Sequence, residues 1–340
     1  ANRLQSMSQS DRKQTHSILA ADTLLAPGGM PRNVLIRGLV QFSTGLSDTR
    51  QGYVMKFGLI PINIGIESID QMVGLAQLAE SSGLESIWTF EHVMVPVDYQ
   101  SKYPYNDSGK MGAPPETGFV DPLIALAAVA AATSTIRLGT GVNILSQVNP
   151  LYMAKQAASL DFLSNGRFML GVGIGWLREE FDALGVPFER RGERFDDYVV
   201  AMKKIWSGEV VEHESDFINW HGFKSYPLPT QKPHLPVIMG GAKGRIYQRI
   251  ARHGDGWYAP IGDPGELSTA LDELKSACDA EDRDFSEVEI TCMWPAAGGI
   301  EAVQALADVG VSRLVVPLMA LGSNPLEGIQ KLSEDVIRAI

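Results

Sequence analysis

A glutamate and a histidine, Glu91-His92, directly follow an apolar segment, Ser86–Phe90, which we predict to be a β-strand. A histidine at a strand end can donate or accept a proton near neutral pH, and an adjacent acid could tune or orient it. The alternative interpretation is a loop histidine that hydrogen-bonds to backbone. On the functional interpretation, His92 and Glu91 are candidate catalytic residues.

Two glycine-rich segments end two further predicted strands. Gly139-Thr140-Gly141-Val142-Asn143 ends the strand Ile136–Val142, and Gly173-Ile174-Gly175-Trp176 follows the strand Phe168–Val172. Glycines weaken a strand unless a ligand or another backbone must come close, so we expect a flat ring to lie against these strand ends. Trp176 could form a wall for that ring. The alternatives are a bulge in a tightly curved barrel and a turn with a core tryptophan.

A third glycine-rich segment, Gly240-Gly241-Ala242-Lys243-Gly244-Arg245, separates the predicted strand Pro236–Met239 from the helix Ile246–His253. The backbone N–H groups of such a turn, together with a cationic side chain, can hold a phosphate. The spacing GxxxxGK[ST] of a Walker A loop is absent.

Two other groups of residues have less specific interpretations. Arg190, Arg191 and Arg194 stand beside acidic residues at helical spacing, which predicts a solvated helix with ion pairs. A long loop, Val95–Phe119, carries several tyrosines, and loops of this kind often shape substrate pockets.

The elements that must position these residues alternate between strand and helix from Met55 onward. Eight core strands are predicted, most of them separated by helices: Lys56–Pro61, Ser86–Phe90, Ile136–Val142, Phe168–Val172, Pro236–Met239, Gly256–Tyr258, Val288–Met293 and Arg313–Pro317. This pattern predicts an α/β fold, a (β/α)₈ barrel with insertions, in which ligands bind at the carboxyl ends of the strands. A doubly wound open sheet is the alternative, but no GxGxxG follows the first strand.

Composition excludes several functional classes. The net charge is −11, which argues against partners such as nucleic acid or anionic membranes, and no apolar run is long enough to span a bilayer. The two cysteines, Cys278 and Cys292, form no metal-binding pattern, so we expect no metal site and idle thiols in a reducing cytoplasm.

The first 54 residues differ from the remainder. They contain six Lys or Arg, three Asp and no Glu, and they lack helical or alternating periodicity over most of their length. We therefore predict an N-terminal extension over residues 1–54, either disordered or preceding a natural start at Met55, and a barrel domain over residues 55–340.

These segments, in this order, resemble the luciferase-like flavin and deazaflavin oxidoreductases. The resemblance is densest in Trp88–Pro96, Asp121–Trp176 and Pro236–Trp257. The sequence Trp176–Phe181 followed by Ala183–Pro187 is typical of the branch that uses coenzyme F420, a 5-deazaflavin. The resemblance implies a luciferase-like (β/α)₈ barrel, often a homodimer, that transfers a hydride between F420 and a small organic substrate.

The resemblance also assigns residues. It places His92 near the reactive ring carbon and Gly141-Val142 at a bulge behind the ring, often with a non-proline cis peptide. The ring and its ribityl chain would contact Ile144, Ile174 and Gly175, beside Trp176. The phosphate would be held by Gly240, Gly241, Gly244 and Arg245.

Two departures from the family pattern matter. The family usually has Asp before the histidine, where this chain has Glu91. Its sugar-phosphate dehydrogenases carry a glutamate where this chain has Trp176, which argues against a sugar-phosphate substrate. Two alternatives stay open: an FMN-dependent monooxygenase that uses oxygen and a partner flavin reductase, and a non-catalytic cofactor-binding barrel.

Overall fold

The computed structural model describes residues 55–340, and the predicted N-terminal extension, residues 1–54, lies outside this described part. Its strands and helices follow in chain order: β1 Lys56–Ile60, α1 Ile69–Ser81, β2 Ser86–Thr89, α2 Pro122–Ala132, β3 Arg137–Thr140, β4 Asn143–Ile144, α3 Pro150–Leu163, β5 Phe168–Gly173, α4 Arg178–Ala183, α5 Arg191–Trp206, β6 Val211–Glu214, β7 Asn219–Phe223, β8 Val237–Gly240, α6 Ile246–His253, β9 Gly256–Ala259, α7 Pro264–Ala280, β10 Glu289–Met293, α8 Gly299–Asp308, β11 Arg313–Pro317 and α9 Pro325–Leu332.

Eight parallel strands close into a barrel in the order β1, β2, β3, β5, β8, β9, β10, β11, and β11 pairs with β1. The two-residue strand β4 adds to β5, and β6 and β7 form a separate antiparallel hairpin. The predicted (β/α)₈ barrel with insertions is therefore confirmed. Within residues 55–340, no helix combines the length and hydropathy needed to cross a bilayer.

Proline and an N-capping side chain begin the two helices on either side of β3. Oδ1 of Asp121 accepts hydrogen bonds from the backbone N–H groups of Leu123 and Ile124, both at 3.0 Å, and α2 starts at Pro122. Asn149 caps α3 in the same way through the N–H of Leu151 at 2.9 Å. Asp or Asn followed by Pro favours a helix start, because the side chain accepts from the first free N–H groups and Pro needs no N–H partner.

Bulky side chains fill the barrel interior. Trp88, Ile60 and Tyr258 form a buried interior cluster, apart from the larger core between strands and helices. A Cβ atom on Gly139 would lie 2.4 Å from the Trp88 ring, so this glycine is required by packing. The space at Gly139 is therefore filled by the Trp88 side chain and is not open to a ligand.

A network of ion pairs closes the amino-terminal end of the barrel. Arg313, at the start of β11, is fully buried. Its Nε and Nη2 donate to the two carboxylate oxygens of Glu85 at 2.8 and 2.9 Å, and its Nη1 donates to Glu289 and to Thr291. Lys56 also binds Glu289. In (β/α)₈ barrels the amino-terminal face contributes to stability, whereas catalytic residues lie at the opposite face.

Candidate active site

The four predicted site segments follow four adjacent strands of the barrel. Glu91-His92 follows β2, Gly141-Val142 follows β3, Ile174–Trp176 follows β5 and Gly240–Arg245 ends and follows β8. Because neighbouring parallel strands end at the same rim, the fold brings these segments to one sector of the carboxyl-terminal face. The sequence-based expectation of a shared location is thus met by the topology.

His92 is held by a residue that the sequence analysis did not identify. Its Nδ1 lies 3.1 Å from Oε2 of Glu180, and the exposed fractions of the two side chains are 10% and 2%. The other oxygen, Oε1 of Glu180, accepts hydrogen bonds from the backbone N–H groups of Val93 at 2.6 Å and Met94 at 3.3 Å. Glu180 therefore fixes both the imidazole ring and the backbone that follows it.

This contact determines what the imidazole can do. With Nδ1–H donating to the Glu180 carboxylate, a neutral ring carries its lone pair on Nε2. In the described part of the chain, Nε2 makes no hydrogen bond. The ring can therefore accept a proton at Nε2 and, once protonated, return it there.

Glu91 does not contact His92, so the adjacent acid does not orient the histidine. Its Oε1 accepts from Nδ2 of Asn143 at 2.7 Å, and its Oε2 accepts from the backbone N–H of Ile144. The pKa of Glu91 is raised to about 7. Burial is the main cause and the nearby Glu180 and Asp121 carboxylates add to it, while these two hydrogen bonds act in the opposite direction. The carboxyl thus ties β2 to β4 and titrates near neutral pH.

The backbone between β3 and β4 forms a tight bulge. The Gly141–Val142 peptide bond is cis, as the family resemblance implies. Added Cβ atoms would lie 1.6 Å from the Thr140 oxygen at Gly171, and 2.7 and 2.8 Å from Val142 methyl groups at Gly173 and Gly240. The glycines of β5 and β8 therefore make room for the bulge.

The segment after β5 is fixed by polar contacts and lined by aromatic rings. Oγ of Ser146 donates to the Ile174 oxygen at 2.7 Å, and Nε of Arg191 donates to the Gly175 oxygen at 3.1 Å. Gly175 has φ of +77°, and a Cβ there would lie 2.7 Å from a methyl group of Ile144. These contacts hold the predicted ring-binding residues close to each other.

Trp176 is the centre of an aromatic cluster that includes His92. Its ring centroid lies 6.0 Å from His92, 5.7 Å from Tyr99 and 5.2 Å from Tyr103, with edge-to-face geometry in each pair. Phe119 packs edgewise on the other side of His92 at 5.7 Å. Trp176 and Phe119 thus contact His92 directly, and the tyrosines of the long loop between β2 and α2 pack behind Trp176.

A second glutamate of α4 anchors the same loop. Oε1 of Glu179 accepts from the backbone N–H groups of Gln100 at 2.6 Å and Ser101 at 3.2 Å. Partial burial opposes ionisation of Glu179, but the hydrogen bonds from Ser101 and Gln100 outweigh it and lower the pKa to about 2. Neighbouring glutamates of one short helix therefore have separate tasks: Glu180 holds His92, and Glu179 holds the loop.

The segment after β8 offers free backbone donors. Gly241 and Gly244 have φ of +130° and +74°, which side-chain-bearing residues rarely adopt. Nε1 of Trp257 donates to the Gly241 oxygen at 2.7 Å and fixes the turn. No side chain among residues 55–340 caps α6 at Arg245, so within this part of the chain the first N–H groups of the helix remain available for an anion.

The prediction for the arginines of α5 is only partly correct. Arg190 is exposed and pairs with Glu193 and Asp216. Arg194, in contrast, is buried, and its guanidinium donates to backbone oxygens, including that of Ser146 at 2.9 Å. Arg194 therefore connects α5 to the segment after β4 instead of forming a solvated ion pair.

Comparisons with known proteins agree with this arrangement. A model of the luciferase-like monooxygenase family matches residues 43–328. An uncharacterised protein of Mycobacterium tuberculosis is 36% identical over 183 residues, which are 54% of this chain, and the chain spans 64% of that relative's length. The F420-dependent tetrahydromethanopterin reductase of Methanopyrus kandleri superposes with a TM-score of 0.67 at 17% identity, covering 84% of this chain and 99% of that structure.

Two relatives with named activities use different cofactors. The F420-dependent hydroxymycolic acid dehydrogenase of M. tuberculosis is 29% identical over 57% of this chain and 50% of its own length. The oxygenase component of the flavin-dependent trigonelline monooxygenase of Acinetobacter baylyi is 26% identical over 65% of this chain and 56% of its own length. Taken with the barrel and its cis-peptide bulge, the family match shows that the chain belongs to the luciferase-like monooxygenase family of oxidoreductase enzymes.

Proposed function

We propose that this enzyme transfers a hydride between coenzyme F420 and a small organic substrate, with His92 moving the accompanying proton. The observation that carries the proposal is the contact between Nδ1 of His92 and the buried Glu180 carboxylate. It leaves Nε2 as the exchanging nitrogen at the carboxyl-terminal face of the barrel, where ligands of (β/α)₈ enzymes bind.

The residues present fit a deazaflavin. Oδ1 of Asn143 is buried without a hydrogen-bond partner among the described residues, and such an acceptor suits a ring N–H group. Val142 and Ile144 flank it at the bulge, and the turn Gly240–Arg245 offers backbone donors for a phosphate. These residues would hold the cofactor, which when bound supplies a ring carbon that accepts or gives up a hydride.

The protein's own contribution is orientation and proton handling. Glu180 holds the imidazole so that Nε2 can take a proton from a substrate hydroxyl as hydride leaves the adjacent carbon, or return it in the reverse direction. The rings of Trp176 and Phe119 pack edgewise against the imidazole and reduce the access of water to it. No oxygen chemistry is required of any residue.

The test measures turnover with F420 in the absence of oxygen and with reduced FMN in its presence. An anaerobic screen of alcohols and carbonyl compounds with F420 is followed by the cofactor's absorbance, and oxygen uptake is followed with reduced FMN. We expect turnover with F420 without oxygen, and a loss of about 10²-fold or more in kcat for His92→Ala at unchanged cofactor affinity. Oxygen uptake with reduced FMN, without F420 turnover, would contradict the proposal.

An FMN-dependent monooxygenase is the second candidate, since the trigonelline relative is a flavin-dependent monooxygenase. It would need a flavin reductase as a partner, which the deazaflavin reaction does not. In either case we propose a homodimer in the cytoplasm.

A further inference from the structure

A cavity of about 70 Å³ is lined by α5 and α6 residues next to the phosphate-binding turn. Its walls are formed by Asp196, Arg245, Gln248, Arg249, Arg252 and His253, and we call it the α5–α6 cleft. The three arginines are four and three residues apart, so they share one face of α6. Because Arg245 is also the last residue of the turn, the cleft begins where the proposed phosphate site ends.

Two of these arginines are positioned by carboxylates. Nε of Arg249 donates to Oδ1 of Asp196 at 2.6 Å, and Nε of Arg252 donates to Oε1 of Glu281 at 2.7 Å. Gly192 makes room for the first pair, because a Cβ there would lie 2.5 Å from Nη2 of Arg249. Each ion pair uses Nε and leaves the terminal nitrogens for another acceptor.

The charge of the cleft is opposite to that of the chain. Arg245, Arg249 and Arg252 outnumber Asp196 and Glu281 by one, whereas the whole chain carries −11. Arg245 forms no ion pair with any residue in the described range 55–340. The cleft therefore offers guanidinium donors to an anion that begins at the phosphate and extends along α6.

We propose that the α5–α6 cleft binds a carboxylate-bearing extension of the cofactor beyond its phosphate. FMN ends at its phosphate and has nothing to place there, whereas F420 continues into an acidic tail. The inference rests on the proposed function and deepens it, because it makes the tail a determinant of cofactor choice.

The experiment compares F420 with the same deazaflavin truncated at its phosphate, by fluorescence titration of the full chain. The wild type should bind F420 about tenfold tighter than the truncated form. Arg252→Ala, at a side chain that is 57% exposed, should reduce this ratio to about threefold, and Arg252→Glu to about one, with the affinity for the truncated form unchanged. Arg338→Ala, at an exposed arginine beyond α9, is the matched control and should leave the ratio at its wild-type value.

The outcomes separate the two proposals. Equal wild-type affinity for both deazaflavins, or a ratio that Arg252→Glu does not change, would overturn the tail site and leave the proposed function standing. Binding of FMN without binding of either deazaflavin would overturn both.

Discussion

The two ends of the barrel use charged residues in opposite ways. At the amino-terminal end, the buried Arg313 donates to Glu85, Glu289 and Thr291, so its guanidinium is surrounded by partners. At the carboxyl-terminal end, Nε2 of His92 makes no hydrogen bond in the described chain, and Oδ1 of Asn143 and both polar atoms of Gln147 are buried without partners. We call the amino-terminal end saturated, because its guanidinium has hydrogen-bond partners. We call the carboxyl-terminal end unsaturated, because it keeps hydrogen-bonding capacity for a ligand.

Glutamates at the two ends illustrate the difference. Burial alone would raise the pKa of Glu85, but the hydrogen bonds and charge of Arg313 outweigh it and lower the pKa. Burial raises the pKa of Glu91 to about 7, because its partners are an amide and a backbone N–H and its charged neighbours are carboxylates. The same residue type is thus an ionised structural anchor at one end and a group that titrates near neutral pH at the other.

The largest expected effect is on stability and comes from the saturated end. Arg313→Ala removes the shared cation of two partly buried carboxylates, Glu85 and Glu289, of which only Glu289 keeps Lys56 as a partner. We expect a loss of about 3–5 kcal/mol in the free energy of unfolding, measured by urea denaturation. Cofactor affinity of the folded fraction should be unchanged. A loss below about 1 kcal/mol would show that this ion-pair network contributes little to the free energy of unfolding.

The next effect concerns Glu91 and the pH dependence of stability. Because its folded pKa of about 7 lies above the ordinary value, the folded state binds the extra proton, and stability should fall as pH rises from about 5 to about 8. Over this pH range, the free energy of unfolding of the wild type should fall by about 2 kcal/mol relative to that of Glu91→Gln. Glu85→Gln is the control. Because the pKa of Glu85 is lowered, its contribution to the pH dependence of stability lies below about pH 4.5. The difference in the free energy of unfolding between Glu85→Gln and the wild type should therefore be constant from about pH 5 to about pH 8. If the difference in the free energy of unfolding between Glu91→Gln and the wild type were also constant over this range, the raised pKa of Glu91 would be contradicted.

The smallest expected effect separates the two glutamates of α4. Glu180→Gln keeps an oxygen for the N–H groups of Val93 and Met94 but removes the charge beside His92, so kcat should fall about tenfold and its pH profile should shift. Glu179→Gln is matched in size and charge and contacts the loop without touching His92. A similar shift of the pH profile in both variants would indicate a general effect on the loop, and Glu180 would lose its positioning role.

Much of the fold could be predicted from local signals. The bounds of β11 and α6 agree with the predicted Arg313–Pro317 and Ile246–His253. The helix α4 has only six residues, too few for a periodic pattern, and was not predicted. The strand Ile136–Val142 was predicted too long, because the bulge at Gly141-Val142 interrupts it.

The site was predictable in position and not in its contacts. His92 and the glycine-rich strand ends could be recognised because chemistry in this fold lies at strand carboxyl ends. Glu180 lies 88 residues from His92 in sequence, and no local pattern connects them. The roles of all the assigned cofactor-binding residues, including Trp176, Gly240 and Arg245, stay predictions.

The central claim is that the unsaturated end of the barrel accepts F420. The most direct measurement is a fluorescence titration of the purified chain with F420 and with FMN, each in oxidised and reduced form. We expect F420 to bind tightly and FMN to bind weakly. A preference for reduced FMN would contradict it and favour the monooxygenase, and binding of neither would contradict the assignment of the site itself.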